Sequence, residues 1–456
     1  MPKKIFSVIF TIFIVFCMIL SPLSALAYEV TEFEITAKAG MLISLDTGEM
    51  LYEKNIDKKV YPASITKIMT ATVILESEKF EPTQKIAMTE SALEKILGTG
   101  SVVSNLKKGE KISQLDLVYY ILMSSAGDVA LLAAEYYGGS IEGFVEKMNS
   151  KASELGLSGT HYENPIGLHH EDNYTTVRDI YTLTKYALKN KTFEEVCTAQ
   201  RYTVPATNME GERLLTSTNY LMNTSTPQYY YPYAKGVKTG FTDEAGRCLV
   251  STATYKKNTN ETYSYMCILM GCPDSSQKRY EFAESADLYR WAFKNFSFKE
   301  VANSTDPVSE MPVELSFQTD YVPLLFKEPF VTLLLSEADE STVVVKPKLN
   351  SKSVEAPVKK GDVLGKADVY YAEKLIGTVD LVAANDVKSN KLLVIVKYIK
   401  LVFTSVYMKV FLGIVAAIII IFIILCIRLN LARMKRRRVK YKPYSKKERR
   451  KDEQDY

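Results

Sequence analysis

An uncharged run near the C-terminus constrains this chain more than any other feature. Val410 to Ile427 contains 18 residues without a charge, and a cluster of basic residues follows it. At about 1.5 Å per residue, a helix of this length spans roughly 27 Å, enough to cross the hydrocarbon core of a bilayer. Because basic flanks lie mainly on the cytoplasmic side of membrane helices, the pattern predicts a transmembrane helix at 410–427 and a cytoplasmic tail at 428–456.

A second apolar run lies at the N-terminus. Two lysines precede an uncharged stretch from Ile5 to Leu20, and Ala25-Leu-Ala27 then has the small residues that a signal peptidase requires. This order is typical of a secretory signal, so we predict a signal peptide at 1–27 and export of the body that follows. The two orientation signals agree and predict a single-pass protein of the cell membrane with an extracytoplasmic body. The alternative is an N-terminal anchor that is retained.

The net charge of +4 is a sum of unlike parts. Residues 428–456 contain 13 basic and 4 acidic side chains, whereas residues 28–427 contain 42 basic and 49 acidic ones, a net charge of −7. Because the exported body is acidic, we expect no nucleic-acid partner. The 47% share of apolar residues excludes a wholly disordered chain.

Four cysteines lie in the predicted exported body, and four could form two disulfide bridges. They are Cys197, Cys248, Cys267 and Cys272. The apolar, strand-like neighbours of Cys248 and Cys267 favour free thiols, because a body of this size does not need disulfides for stability.

The exported body divides into two domains by the character of its sequence. From residue 28 to 297, strand patterns come first and last with helical patterns between them, which predicts an α+β fold with an antiparallel sheet covered by helices. From 298 to 395, short β-rich runs with turn residues between them predict a small all-β C-terminal domain. Residues 396–409 resume helical spacing and lead into the membrane segment.

Several elements of the first domain are predicted individually. Ile65 to Leu75 is apolar almost all round, so its helix should be buried. The other predicted elements are a hairpin at Gly40–Leu45 and Met50–Tyr52, a helical region at Leu115–Tyr137 broken at Gly127, neighbouring strands at Arg247–Thr254 and Tyr263–Gly271, and a helix at Phe282–Phe293.

A candidate nucleophile precedes the buried helix. Ser64 and Lys67 are three residues apart, so on a helix they share one face. A lysine whose pKa is lowered by burial can accept the proton of a serine hydroxyl. The S-x-x-K pattern is weak alone and also occurs at Ser104 and Ser275, but only Ser64 enters an apolar helix that can shield its lysine.

Two further motifs carry polar groups. Lys238-Thr239-Gly240 combines a cation and a hydroxyl with a glycine that allows a ligand to approach, which suits an anionic, peptide-like substrate. Ser125, in Ser124-Ser-Ala-Gly127, could relay a proton. Taken alone, Lys238 is better explained as a lysine before a hairpin turn, and Ser125 as a helix cap.

In this order, the three motifs match the set of serine penicillin-recognising enzymes. The chain resembles the membrane-anchored serine D-Ala-D-Ala carboxypeptidases, the low-molecular-mass penicillin-binding proteins. Further stretches carry the resemblance: Asp46-Thr-Gly, Phe144-Val-Glu-Lys-Met-Asn149, Asn164-Pro-Ile-Gly-Leu168, Asp243-Glu-Ala-Gly246 and Cys248-Leu-Val250, together with the C-terminal β-domain and the membrane segment.

The resemblance implies a fold and a reaction. The first domain would have the penicillin-recognising transpeptidase and β-lactamase-like fold. The substrate would be a peptidoglycan stem pentapeptide, with loss of its terminal D-Ala through an acyl-enzyme on Ser64. β-Lactams would be covalent inhibitors, and no cofactor would be required.

The resemblance also implies residue roles. Lys67 would be the general base, and Ser125 would pass the proton to the leaving amine. Lys238 and Thr239 would hold the terminal carboxylate. The substrate-binding strand would continue through Gly240 and Phe241, and the backbone N–H groups of Ser64 and Phe241 would form the oxyanion hole. Arg279 is the candidate for a further carboxylate contact, although its distance from the following helix does not match the family well.

One position departs from the family pattern. Gly127 stands where the family usually has an asparagine, whose amide would bond the substrate backbone and Lys67. Loss of such a donor can lower a rate by two or three orders of magnitude, roughly. The alternative hypothesis is therefore a weakly active or inactive homologue that binds or senses peptidoglycan. A β-lactamase is disfavoured by the extra domain and anchor, and because the sequence has no evident deacylating glutamate.

Three histidines raise the question of a metal site. His161, His169 and His170 lie near Glu171 and Asp172, but their spacing fits none of the usual zinc signatures. We expect solvated loop residues and no metal.

Overall fold

A five-stranded antiparallel sheet organises the first part of the structure, which is a computed structural model describing residues 33–259, 261–339 and 342–440. The predicted signal peptide and residues 441–456 of the predicted tail lie outside the described residues. The strands are β1 (Ala39–Ser44), β2 (Met50–Lys54), β3 (Lys85–Ala87), β4 (Lys111–Ser113), β5 (Arg201–Val204), β6 (Arg213–Thr216), β7 (Ala234–Thr242), β8 (Gly246–Lys256), β9 (Thr262–Cys272), β10 (Phe296–Ala302), β11 (Ser309–Glu314), β12 (Tyr321–Phe326), β13 (Phe330–Leu335), β14 (Val343–Leu349), β15 (Val354–Glu355), β16 (Val363–Tyr371) and β17 (Lys374–Ala383). The order in the main sheet is β2-β1-β9-β8-β7.

Among the described residues, eight helices lie in the same part of the chain as this sheet, and two more follow the last strand. They are α1 (Lys67–Leu75), α2 (Glu90–Ile96), α3 (Gln114–Leu122), α4 (Gly127–Gly138), α5 (Ile141–Glu154), α6 (Val177–Ala187), α7 (Lys191–Thr198), α8 (Tyr280–Asn295), α9 (Lys391–Thr404) and α10 (Val406–Lys440). A 3₁₀ turn, Ala63–Thr66, leads directly into α1. The predicted hairpin, the buried helix and the neighbouring strands are confirmed. The predicted helical region is interrupted at residues 123–126, so Gly127 is the first residue of α4 and not the break itself.

The main sheet is covered on both faces, because successive residues of a strand point to opposite sides. Met41 and Ile43 of β1 pack with α1 and the helices that follow it in the larger core cluster. Leu42, between them, packs with α8 in a second cluster. The α+β prediction of an antiparallel sheet covered by helices is therefore confirmed, and the sheet forms the middle layer.

The chain separates into two compact units. The first runs to Val301 and also contains Val331–Val343, whose strand β13 pairs with β10. The second contains Ala302–Phe330 and the chain from Val344 onward. Its six-stranded sheet has the order β14-β16-β17-β12-β11-β15, so the predicted all-β character of this region is confirmed.

The helices after the last strand expose apolar side chains. Asn390 caps α9 by accepting hydrogen bonds from the backbone N–H groups of Leu392 and Leu393. Within the described residues, one helix is long and apolar enough to cross a membrane, at Val406–Lys435. This helix includes the predicted span at 410–427, and its length and composition make it a possible membrane anchor.

Candidate active site

Ser64 and Lys67 are in direct contact. Ser64 lies in the 3₁₀ turn, and Lys67 is the first residue of α1. The Lys67 Nζ atom lies 3.0 Å from the Ser64 Oγ atom. Lys67 is only 1% exposed, whereas Ser64 is half-buried. The hydroxyl is therefore accessible while the amine beside it is shielded from water.

The surroundings of Lys67 favour its neutral form. Burial lowers the pKa of this lysine to about 7, and the Asp128 carboxylate opposes that shift. At neutral pH about half of an amine with this pKa is neutral and can accept a proton, whereas a solvated lysine is almost entirely charged. The pair thus has the proton affinity that activation of a serine requires.

A loop from a distant part of the chain supplies the second partner of Lys67. The Nζ atom donates to the main-chain carbonyl of Ile166 at 2.6 Å. Asn164 holds this loop, because its Oδ1 atom accepts from the N–H groups of Gly167 and Leu168 at 2.8 and 2.9 Å. Its Nδ2 atom also donates to the Leu168 carbonyl at 3.0 Å. These bonds fix the direction of the carbonyl that Lys67 contacts.

The Lys-Thr-Gly motif lies on β7, the edge strand of the main sheet. Lys238 is 1% exposed, and its Nζ atom donates to the Thr239 carbonyl at 2.9 Å. Burial, and then the nearby charge of Lys67, hold the pKa of Lys238 well below its usual range. Two buried ammonium groups repel each other, so each lysine favours the neutral form of the other.

Gly240 allows the edge strand to approach the nucleophile closely. A Cβ atom on this residue would lie 3.1 Å from the backbone nitrogen of Ser64 and 3.2 Å from that of Ile65. A side chain here would therefore press on the turn that holds Ser64. Because residue 240 has no side chain, the backbone of β7 lies close to the Ser64 N–H group.

Ser125 occupies the short connection between α3 and α4. Its φ angle of +62° is in the left-handed region, which costs a non-glycine residue roughly 1–3 kcal/mol. The neighbouring Ser124 hydroxyl donates to the Tyr120 carbonyl at 2.8 Å, and the Ala126 N–H group donates to the same carbonyl at 3.0 Å. The connection is thus held in a tight turn that presents Ser125.

These elements surround a cavity of about 580 Å³. Of the predicted site residues, the structure brings Ser64, Ser125, Thr239, Gly240, Phe241 and Arg279 to its wall. The other lining residues are Thr99, Gly100, Ser101, Val102, Ile166, Gly167, Leu168, His169, Thr218, Tyr220, Thr242, Asp243, Glu244 and Arg247. A volume of this size suits a peptide-like ligand.

Three predicted residues do not line the cavity wall. Lys67 and Lys238 are buried behind the wall. Lys67 contacts Ser64, and Lys238 contacts Thr239. Gly127 begins α4, and its N–H group donates to the Val102 carbonyl at 2.7 Å. The segment around residue 101 therefore lies where a side chain on residue 127 would extend.

Arg279 is at the cavity wall and has fixed partners. Its Nε atom donates to the buried Glu281 carboxylate at 2.7 Å. Its guanidinium carbon also lies 5.1 Å from the centre of the Tyr220 ring. This arrangement leaves a cation facing the cavity, where an anionic substrate group could pair with it.

Sequence reasoning missed several residues of the site. The Ile166 carbonyl is a backbone group, so no residue type marks it, although Asn164-Pro-Ile-Gly-Leu168 was singled out for the resemblance. Thr218, whose hydroxyl oxygen lies 2.6 Å from that of Thr239, stands in an ordinary polar loop. His169 was expected to be a solvated loop residue, but it lines the cavity, and its ring packs edge-on against Tyr61 at 4.6 Å.

A group of possible metal ligands lies in the loop before α6. The ligand atoms of Glu163, His170 and Asp172 lie within 4.8 Å of one another, and all three residues are exposed. His170 is already used within this loop, because its Nδ1 atom accepts from the Asp172 N–H group at 3.1 Å. An exposed group of this kind does not by itself indicate a metal.

Two family models match the chain. Residues 26–262 match the family described as D-alanyl-D-alanine carboxypeptidase. Residues 296–389 match the C-terminal domain of penicillin-binding protein 5. The first match includes the three motifs and every cavity-lining residue except Arg279, which lies between the two matches. The second match covers most of the all-β region.

Individual relatives agree with these matches. The chain is 29% identical over 362 residues to the D-alanyl-D-alanine carboxypeptidase DacF of Bacillus subtilis, covering 78% of this chain and 87% of the relative. Penicillin-binding protein 5 of Haemophilus influenzae superposes with a TM-score of 0.60 at 26% identity, over 78% of this chain and 98% of that one. The Streptomyces K15 DD-transpeptidase has a TM-score of 0.52 at 27% identity, over 57% and 98%.

Proposed function

The chain belongs to the D-alanyl-D-alanine carboxypeptidase family and is a serine-type carboxypeptidase, and we propose that Ser64 is its nucleophile. The family acts on peptidoglycan peptides and binds β-lactams. The substrate proposed for this chain is a stem pentapeptide that ends in D-Ala-D-Ala. The observation that carries the assignment is the 3.0 Å contact between the Ser64 hydroxyl and the buried amine of Lys67.

Acylation follows from the properties of this pair. The Ser64 Oγ atom attacks the carbonyl carbon of the penultimate D-Ala, and its proton passes to the neutral Lys67 amine. The backbone N–H groups of Ser64 and Phe241 stabilise the negative charge that develops on the carbonyl oxygen. The peptide C–N bond then breaks. The Lys67 ammonium passes its proton through the Ser125 hydroxyl to the leaving nitrogen, so that D-Ala departs and Lys67 is neutral again.

Deacylation returns the enzyme to its starting state. Water attacks the ester carbon with Lys67 as the proton acceptor, and the Ser64 oxygen leaves with a proton returned to it. The products are the tetrapeptide and free Ser64. Thr239 and Arg279 are proposed to hold the terminal carboxylate at the cavity wall, where Lys238 lies close behind Thr239.

The assignment of Ser64 is tested by paired serine variants of the full-length protein in detergent. Ser64→Ala is expected to lower D-Ala release by more than about a thousandfold and to abolish covalent labelling by a fluorescent penicillin. Ser275→Ala is the matched control, because Ser275 also begins an S-x-x-K pattern but lies outside the cavity. Labelling of Ser64→Ala at the wild-type rate would refute the proposal.

The alternative of a weakly active homologue depends on Gly127. Penicillin labelling of wild-type protein without D-Ala release would favour a protein that binds peptidoglycan rather than trimming it. Rapid hydrolysis of the penicillin would instead favour a β-lactamase. Turnover of the pentapeptide, lost in Ser64→Ala and kept in Ser275→Ala, supports the carboxypeptidase.

We also propose that the apolar helix anchors the body to the outer face of the cell membrane. The helix ends among basic residues, which favours a cytoplasmic tail. A membrane-impermeant maleimide should label Ser158→Cys in intact cells, because Ser158 is exposed in the body. Ser445→Cys should react only after the membrane is permeabilised, and the reverse pattern would contradict the orientation.

A further inference from the structure

Gly127 leaves no space for a side chain because another segment fills it. An added Cβ atom would lie 2.8 Å from the Ile96 Cδ1 atom and 3.1 Å from the Ser101 Cβ atom. The Ile96 side chain is buried in the core, and the Ser101 Cβ atom is bonded directly to its backbone, so a side chain at residue 127 requires both neighbours to shift. The glycine is therefore part of a packed contact between α4 and the segment Thr99–Ser104.

Two adjacent residues of α4 fix this segment. The Gly127 N–H group donates to the Val102 carbonyl at 2.7 Å. Asp128, which is 1% exposed, accepts the Ser104 N–H group at 3.0 Å and the Ser104 hydroxyl at 2.5 Å. Because a buried carboxylate must be satisfied by such donors, these bonds are costly to break.

This arrangement places Ser101 at the cavity wall, together with Thr99, Gly100 and Val102 of the same segment. Ser101 is half-buried and lines the same cavity as Ser64 and Ser125. Its N–H group donates to the Thr99 hydroxyl at 3.2 Å, which holds the backbone of the segment. A serine hydroxyl can donate one hydrogen bond and accept others, as a bound peptide requires.

We propose that the Ser101 hydroxyl binds the backbone of the acyl part of the substrate, in the place where the chain has no side chain at residue 127. The inference rests on the proposed function, because it assigns a positioning residue to the same cavity. Lys67 does not depend on residue 127 for a partner, since its Nζ atom is held by the Ile166 carbonyl. Ser101 is therefore assigned the hydrogen bond to the substrate backbone, and it is assigned no contact with Lys67.

The direct test compares variants of the full-length protein in D-Ala release from a pentapeptide and in penicillin labelling. Ser101→Ala should lower kcat/KM about tenfold, as expected for the loss of one substrate hydrogen bond. Ser101→Thr keeps a hydroxyl and should stay within about threefold of wild type. Ser158→Ala, an exposed serine outside the cavity, should behave as wild type in both assays.

Melting temperatures separate this role from a structural one. The Tm of Ser101→Ala should match that of wild type, because only one hydroxyl is removed. Wild-type kcat/KM in Ser101→Ala, or an equal loss in Ser101→Thr, would overturn the inference. If Ser64→Ala is inactive while Ser101→Ala is unaffected, this inference fails and the proposed function stands. If Ser64→Ala remains active, the proposed function itself fails.

A second variant tests the packing at Gly127. Gly127→Asn should lower both the Tm and kcat/KM, because its side chain meets Ile96 and Ser101. Adding Ser101→Gly to this variant should recover part of the lost Tm, since it removes the Ser101 Cβ atom. A rise in activity of Gly127→Asn at unchanged Tm would contradict the proposal.

Discussion

The Nζ atom of Lys67 donates to the main-chain carbonyl of Ile166 at 2.6 Å, across 99 residues of sequence. A neutral carbonyl satisfies one donor of the buried amine without adding a full negative charge beside it. A directly bonded carboxylate would instead favour the ammonium form. The contact therefore orients the Lys67 amine beside Ser64 without the strong stabilisation of the ammonium form that a carboxylate would give.

The first prediction concerns the pH dependence of acylation. Lys67 accepts the Ser64 proton only when neutral, and burial lowers its pKa to about 7. The second-order rate of penicillin labelling should therefore rise between pH 5 and 8 with a midpoint near 7. Lys278→Ala, which changes the exposed lysine of another S-x-x-K pattern, should keep the same midpoint. A flat profile over this range would contradict the role of Lys67.

The second prediction concerns stability. The pKa of Lys67 is lower in the folded protein than in the unfolded chain, so between pH 7 and 10.5 the unfolded state binds more protons. Burial of the charged Lys67 therefore destabilises the folded protein to its full extent below pH 7, and this destabilisation decreases as the pH rises toward 10.5. Relative to Lys67→Met, the wild-type free energy of unfolding should increase from pH 7 to 10, by at most about 1.4 kcal/mol per pH unit. Denaturant titrations at both pH values measure this difference, and a decrease would show that the sign is wrong.

The third prediction concerns the loop that positions the Ile166 carbonyl. Asn164→Ala removes three hydrogen bonds within that loop and should cost about 1–3 kcal/mol of stability. It should also lower kcat/KM at least tenfold, roughly, because small displacements at a reacting centre are costly. Asn208→Ala is the matched control, since Asn208 also bonds two backbone groups but lies outside the cavity. Equal kinetic losses in both variants would indicate a general effect of destabilisation.

The fourth prediction concerns Arg279. Arg279→Ala should raise KM for the pentapeptide about 10–100-fold with a smaller change in kcat, because a charged contact to the terminal carboxylate is lost. It should also lower the Tm, since Glu281, 1% exposed, loses its ion pair. Arg290→Ala removes an exposed arginine of α8, the helix that begins directly after Arg279, and should change neither KM nor Tm appreciably. An unchanged KM in Arg279→Ala would assign carboxylate binding elsewhere, with Arg247 as the next candidate at the wall.

Much of the first unit follows from local patterns in the sequence. The all-round apolar character of Ile65–Leu75 determines a buried helix, and the strand patterns around Cys248 and Cys267 determine two neighbouring central strands. Cys197, Cys248, Cys267 and Cys272 are free and buried, in keeping with their apolar surroundings. The spacing of Ser64 and Lys67 likewise determines their contact, because three residues form about one helical turn.

Other relationships depend on how distant segments pack. The strand β13 belongs to the first unit although its sequence lies among the strands of the second. A hydrophobic strand pattern shows that a segment pairs but does not identify its partner, because many pairings bury the same side chains.

The sequence alone was therefore enough to identify the three motifs proposed to carry the reaction, the buried helix that shields Lys67 and the long apolar segment near the C-terminus. Only the tertiary structure decided that Ile166 supplies a partner for Lys67, that Thr218 bonds Thr239, and that Ser101 lies against Gly127. The physical reason is that these contacts use a backbone carbonyl, common hydroxyls and an absent side chain. None of these leaves a pattern in the sequence, and their positions are set by the packing of segments that are far apart along the chain.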